Sequence, residues 1–102
     1  MNDGLKKKYK KAIIEIFSAS EQVEKAILFG SRATGNFRPG SDIDIALFGD
    51  KLTISNQARI ARFIDELPIP QRVDLLLYKT ITNEKLKEHI KKDGVEWYTA
   101  NT

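Results

Sequence analysis

Apolar positions recur along this chain with two alternating periods. Leu5, Tyr9, Ala12, Ile13, Ile16 and Phe17 fall at helical spacing, and Lys6, Lys7, Lys8, Lys10 and Lys11 fill the opposite face. This predicts an amphipathic helix from Leu5 to Phe17 that ends at Ser18–Ser20. The first strand is expected within Val23–Phe29; its unbroken run Ala26-Ile27-Leu28-Phe29 suits a central strand covered on both faces. Ser31–Asn36 reads as a short helix with Ser31 as its cap, and Phe37–Ser41 as a loop turning at Pro39-Gly40. Asp42–Phe48 opens with polar–apolar alternation, so Ile43, Ile45 and Leu47 share one strand face while Asp42 and Asp44 share the other. Ile54, Ala58, Ala61 and Ile64, with Ile60, Phe63 and Leu67, trace the stripe of a second long helix, capped by Ser55 and stopped at Leu67-Pro68. Arg72–Tyr78 is a third strand, with Val73, Leu75 and Leu77 pointing one way and Asp74 the other. Thr82-Asn83 caps a helix over Glu84–Lys92 that turns Leu86 and Ile90 inward and ends at Gly94. Val95–Tyr98 is either a short final strand or a docking segment, and the last residues through Thr102 are expected to fray. The order predicts an α/β (α+β) fold, a small mixed β-sheet with helices packed against it, in a single domain over residues 1–102.

Composition narrows the function classes. Apolar residues make up 41% of the chain and charged residues 30%, which is globular rather than disordered. With no cysteine, disulfides, thiolate zinc sites and a cysteine nucleophile are excluded. No apolar run approaches the roughly 20 residues of a membrane helix, and the N-terminus lacks the apolar core of a signal peptide. The expected location is the cytoplasm, with no membrane partner. A net charge of +3 is too mild to imply nucleic acid, so no direct nucleic-acid binding is expected.

The chemistry concentrates between Phe29 and Phe48. Two carboxylates on one strand face repel each other. A divalent cation removes that conflict, and Mg²⁺ takes only one or two protein carboxylates and fills its remaining positions with water and substrate phosphates. Upstream, the Gly30-Ser31 turn offers close backbone approach and N–H groups to a phosphate. A metal-bridged nucleoside triphosphate therefore fits Asp42 and Asp44. Asp74 is either an ion-pair partner of Arg72 or a third carboxylate on the same sheet face. In the second case the acids suit two Mg²⁺ ions, about 3.5–4 Å apart in such sites. Arg32 and Arg38 flank the loop at positions from which they could meet phosphates. Gly30 and Gly35 have the spacing of a P-loop, but Asn36-Phe37 stands where Lys-Ser/Thr is required. Asp42-x-Asp44 could open a calcium loop, but Ala46 occupies the next ligand position. His89, the only histidine, reads as a partly buried structural residue rather than a ligand or base. Trp97-Tyr98 is a C-terminal anchor or part of a partner surface.

Gly30-Ser31, then Asp42-Ile43-Asp44, then Val73-Asp74-Leu75 resembles the DNA polymerase β-like nucleotidyltransferases. Gly30-Ser31-Arg32-Ala33-Thr34-Gly35 with Ser41-Asp42-Ile43-Asp44 is similar, more closely, to the minimal nucleotidyltransferases, the MNT or MntA-like antitoxins. The resemblance covers nearly the whole chain. It implies an Mg²⁺-dependent adenylyltransferase that moves AMP from ATP to a tyrosine of a HEPN-domain toxin in a hetero-oligomeric pair. It also implies that Gly30, Ser31 and Arg32 bind the nucleotide, and that Asp42, Asp44 and Asp74 are catalytic and hold metal. The motif leaves room for a binding module that blocks its partner without chemistry, and for nucleotidyl transfer to a small molecule such as an aminoglycoside.

Overall fold

A computed structural model describes residues 3–100; Asn101 and Thr102, expected to fray, lie outside them. The elements follow the predicted order: α1 (Lys7–Ser18), β1 (Lys25–Phe29), α2 (Ser31–Thr34), β2 (Ile43–Phe48), α3 (Ile54–Asp65), β3 (Val73–Leu77), a 3₁₀ turn (Tyr78–Thr80), α4 (Glu84–Asp93) and β4 (Val95–Thr99). The strands form one mixed sheet in the order β3-β2-β1-β4. β1 pairs antiparallel with β2 and β4, and β2 pairs parallel with β3. β1 is therefore interior to the sheet, as its apolar run predicts. Val95–Thr99 is the final strand rather than a detached segment, and Trp97 anchors it: the indole is buried in the core, with the Lys10 ammonium 5.4 Å from its ring centroid.

Strand alternation divides the sheet into two faces. Ala26 and Leu28 stand opposite Leu47 and Ile45. With Ile43, Leu75 and Leu77 they pack against Ile13 and Phe17 of α1 and Ile60 and Ile64 of α3. On the other face Phe29, Asp44 and Asp74 form one cross-strand row, Ile27, Ala46 and Leu76 the next, and Lys25 and Phe48 continue it towards Tyr78. Ile90 and Leu86 of α4 cover the middle row together with Phe29 and Ile81. Phe48 and Tyr78 stack at 4.3 Å between centroids. The sequence places acids and an apolar patch on one face, and α4 covers the patch.

Several local expectations change. The cap of α3 is Thr53, not Ser55. Its hydroxyl accepts from Asn56 N–H at 3.1 Å and Asn56 Oδ1 accepts from Thr53 N–H at 2.9 Å, a reciprocal box that satisfies two free amides. Ser31 is the first residue of α2 and Gly30 holds the cap position. Phe63 and Ile54 are exposed at 50% and 76%, because the buried stripe of α3 runs through Ile60 and Ile64. Gly94 ends α4 in an extended conformation, and a side chain there would collide with the Ile90 carbonyl and the Ile27 side chain. Along β3, Gln57 Nε2 donates to the Leu75 carbonyl at 2.7 Å. Among the described residues, no helix is long and apolar enough to cross a membrane.

Among the described residues, one charged side chain belongs to the interior. Arg32 is 1% exposed. Its guanidinium donates to the carbonyls of Asp3 at 2.9 Å, Pro39 at 3.2 Å and Ser41 at 3.0 Å, with a longer bond to Arg38. Its plane lies 4.9 Å from the Phe37 ring centroid. The planar fork suits several carbonyls at once, and a single ammonium does not. Arg32→Leu would strip those carbonyls of their donors and is expected to destabilise the domain by about 3 kcal/mol. Arg32→Lys should recover only part of the loss. Urea unfolding checks both, and a midpoint unchanged from wild type in Arg32→Leu would refute the assignment.

Candidate active site

The parallel pairing of β2 and β3 sets Asp44 directly beside Asp74. Neighbouring strands are about 4.8 Å apart, so the two carboxylates share one patch of the sheet face. Asp42 sits just before β2 and is exposed. Burial, then the Asp74 carboxylate, then Asp42 push the Asp44 carboxyl above its ordinary value of 3.8. Asp44 thus feels the charge of both other acids. Among the described residues no three carboxylate or imidazole groups are drawn into a ready-made ion cage. The donor set nevertheless fits Mg²⁺: it is all oxygen, crowded with like charge, and leaves coordination positions open to phosphate.

Arg72 does pair with Asp74, at 3.4 Å, but the two side chains are 75% and 47% exposed. A pair that wet contributes under about 1 kcal/mol and does not lock the carboxylate away from a cation. Asp74 is therefore the ion-pair partner of Arg72 and also stands beside Asp44 on the sheet face.

Gly30 closes the site on the side of β1. Its backbone has φ +78°, and a Cβ there would stand 2.5 Å from Asp44 Oδ2. Only glycine accommodates both the dihedral and the approach. Ser31 opens α2, and its hydroxyl has no hydrogen-bond partner among the described residues. Its N–H, in the first turn, has no intrahelical acceptor. Arg32, expected at the nucleotide, points instead into the carbonyl cage of the 38–41 loop, because its buried guanidinium is consumed by backbone acceptors. Arg38 is exposed, and its own N–H donates to Ser41 Oγ at 2.8 Å.

His89 is half-buried, as expected, but its partners were not visible in the sequence. Gly30 N–H donates to His89 Nε2 at 3.0 Å across 59 residues of chain. The ring's other nitrogen lies 3.3 Å from Asp93 Oδ2. A ring nitrogen that accepts from an amide carries no proton, so the proton sits on Nδ1, facing Asp93. Phe29 meets the imidazole edge-on at 6.3 Å. The nearest sequence signal was position alone: residue 89 adjoins the inward Leu86/Ile90 stripe. A surface groove lies elsewhere, between α1 and α3, lined by residues such as Ile16, Arg59 and Phe63 and by none of the three acids.

A carboxyl whose folded value is raised binds its proton more tightly in the folded state. Its contribution to stability is present at low pH and lost as pH rises above 3.8 through the raised value. Asp44→Asn is therefore expected to be more stable than wild type at neutral pH, by a few tenths of a kcal/mol once solvent screening is allowed for. The difference should vanish near pH ~3, where carboxylates are protonated. Thermal unfolding at the two pH values checks this, and a destabilised Asp44→Asn at neutral pH would contradict it.

Residues 11–102 match the family model described as polymerase beta, nucleotidyltransferase. No curated protein matches the chain. Among solved structures, a toxin–antitoxin complex with AMP-PNP aligns with TM-score 0.73 at 22% identity, over 89% of this chain and 73% of the matched chain. The complex of MNT antitoxin with tri-AMPylated HEPN toxin from Shewanella oneidensis aligns with TM-score 0.69 at 18% identity, over 94% and 74% of the two chains. The MntA–HepT toxin–antitoxin complex aligns with TM-score 0.69 at 18% identity, over 93% and 74%. At these identities the likeness is one of fold, and the mixed four-stranded sheet with its helices is the polymerase beta-like nucleotidyltransferase fold. Because the family match runs from the middle of α1 through β4, the chain belongs to the polymerase beta nucleotidyltransferase family.

Proposed function

We propose that this nucleotidyltransferase is an adenylyltransferase that transfers AMP from ATP to a tyrosine hydroxyl of a HEPN-domain toxin, and so acts as the antitoxin of a hetero-oligomeric pair in the cytoplasm. The observation that carries the reading is the Asp44–Asp74 register pair beside the Gly30-Ser31 turn, with Asp42 close enough to raise the Asp44 carboxyl further. The fold shared with complexes of MNT antitoxin and AMPylated HEPN toxin supports the choice of acceptor. The fold shared with an AMP-PNP complex supports the choice of ATP.

The acceptor oxygen attacks the α-phosphorus of ATP in line; the bond from that phosphorus to the bridging oxygen breaks, and pyrophosphate leaves. The Ser31 N–H and hydroxyl, without other partners among the described residues, orient the phosphates. Gly30 admits the phosphate chain next to Asp44 because it has no side chain to obstruct it. Asp74, at the open side of the pair, takes the hydroxyl proton. Bound to Asp42, Asp44 and Asp74, one or two Mg²⁺ ions would supply neutralisation of the triphosphate and a lowered acceptor pKa. Asp42 and Asp74 stay open to solvent, which leaves room for a partner chain to bring its hydroxyl to the phosphorus.

Labelled ATP, Mg²⁺ and the HEPN partner test the proposal. Wild type should label the partner on tyrosine. Asp44→Asn and Asp74→Asn should each lose about 100-fold or more of the rate while remaining folded. An acidic-site variant that still neutralises the toxin at stoichiometric dose would establish blocking without chemistry. An AMP mass shift on an aminoglycoside, with none on protein, would establish a small-molecule acceptor.

A further inference from the structure

The Gly30-Ser31 turn is held from behind by a side chain that the transfer reaction, as derived above, does not use. His89 comes from α4 and takes the Gly30 N–H on Nε2 at 3.0 Å. Its Nδ1 is 3.3 Å from Asp93 Oδ2, one helical turn further along. Phe29 limits the ring from its edge. Each contact has a consequence. The Asp93 carboxylate selects the tautomer that leaves Nε2 with a free lone pair. That lone pair holds the Gly30 peptide in a conformation, φ +78° and ψ −157°, that is far from helical although α2 begins at the next residue. The same peptide fixes how closely the Gly30 Cα approaches Asp44 Oδ2 and which way the Ser31 N–H and hydroxyl face.

It follows that the Gly30 N–H does not serve as a phosphate donor: its one hydrogen is already committed to His89. Gly30 contributes to the site through its missing side chain, and Ser31 carries the donors.

The geometry points to His89 as a positioning residue for nucleotidyl transfer, which fixes the phosphate turn against Asp44 through the Gly30 N–H···Nε2 bond, with Asp93 holding the imidazole in the accepting tautomer. The inference rests on the reading of that turn as the phosphate site. Misplacing a reacting group by about 1 Å costs on the order of 100-fold in rate, so a bond that sets the turn by such amounts belongs to the reaction although it never touches substrate.

The test uses the full chain in complex with its acceptor. His89→Ala should lower kcat for AMP transfer by about 10- to 100-fold with a smaller change in the KM for ATP. His89→Gln, whose side-chain oxygen can accept at a similar reach, should recover most of that loss. A merely structural histidine would lower the melting temperature without this split and without rescue by glutamine. In parallel, NMR of the free chain should show the Gly30 amide proton protected from exchange in wild type and His89→Gln and unprotected in His89→Ala. Equal kcat for His89→Ala and wild type, a glutamine variant no better than alanine, or a Gly30 amide indifferent to residue 89 would each overturn the inference. If wild type transfers AMP to no acceptor, the proposed function fails, while Gly30 exchange still decides whether His89 holds the turn.

Discussion

The guanidinium of Arg32 sets the distance between the two halves of this site. The Gly30-Ser31 turn and α2 lie on one side of it, and the loop that delivers Asp42 to β2 lies on the other. Arg32 grows from α2 and donates to the carbonyls of Pro39 and Ser41, the second of these directly before Asp42. It also reaches the Asp3 carbonyl and so ties the segment before α1 to the same point. A buried cation without a carboxylate partner is costly unless its donors are satisfied. Here the carbonyl dipoles and the Phe37 ring do that work together. The arrangement is specific because Nε, Nη1 and Nη2 of one planar group each meet backbone carbonyls from separate segments.

Around that fixed point, the sheet separates stability from chemistry. One face carries Ile43, Ile45, Leu47, Leu75 and Leu77 into a core shared with α1 and α3. The other carries Asp44 and Asp74 in the row that α4 leaves open. The acids contribute little to holding the domain together, and burial beside two like charges makes Asp44 a local strain on it. Their place at the meeting of β2 and β3 is secured by residues on the reverse side of the same strands, so the core tolerates a site that works against stability. The exposed Arg72 partner of Asp74 moderates the repulsion without closing the site.

Much of this was legible because strand alternation is a local signal. The acid face of β2, the inward stripes of α1 and α4 and the lone Asp74 could each be read from a window of a few residues. The site motif carries its own spacing, so the family resemblance was visible as well. What could not be read depends on contacts between distant segments or on one hydroxyl against another. Thr53 outcompetes Ser55 as a cap because Asn56 can answer it, a choice between neighbours that propensity does not make. Arg32 looks like a phosphate ligand in sequence because arginine beside a Gly-Ser turn usually faces solvent, and only the folded 38–41 loop supplies the acceptors that turn it inward. The bond from Gly30 to His89 joins residues 59 positions apart, so nothing in either local window announces it.

The Gln57 contact to β3 has a bearing on how the molecule behaves in a crowd. Ile43 N–H donates to the Arg72 carbonyl, so the even-numbered peptide groups of β3 face β2 and the Leu75 carbonyl faces the sheet's open side. An unclaimed carbonyl there would be a template for a strand of another molecule. Gln57 Nε2 occupies it from within the same chain. The helix that buries the sheet thereby also blunts its margin, discouraging edge-to-edge aggregation beside a row of acids that must stay open to visitors.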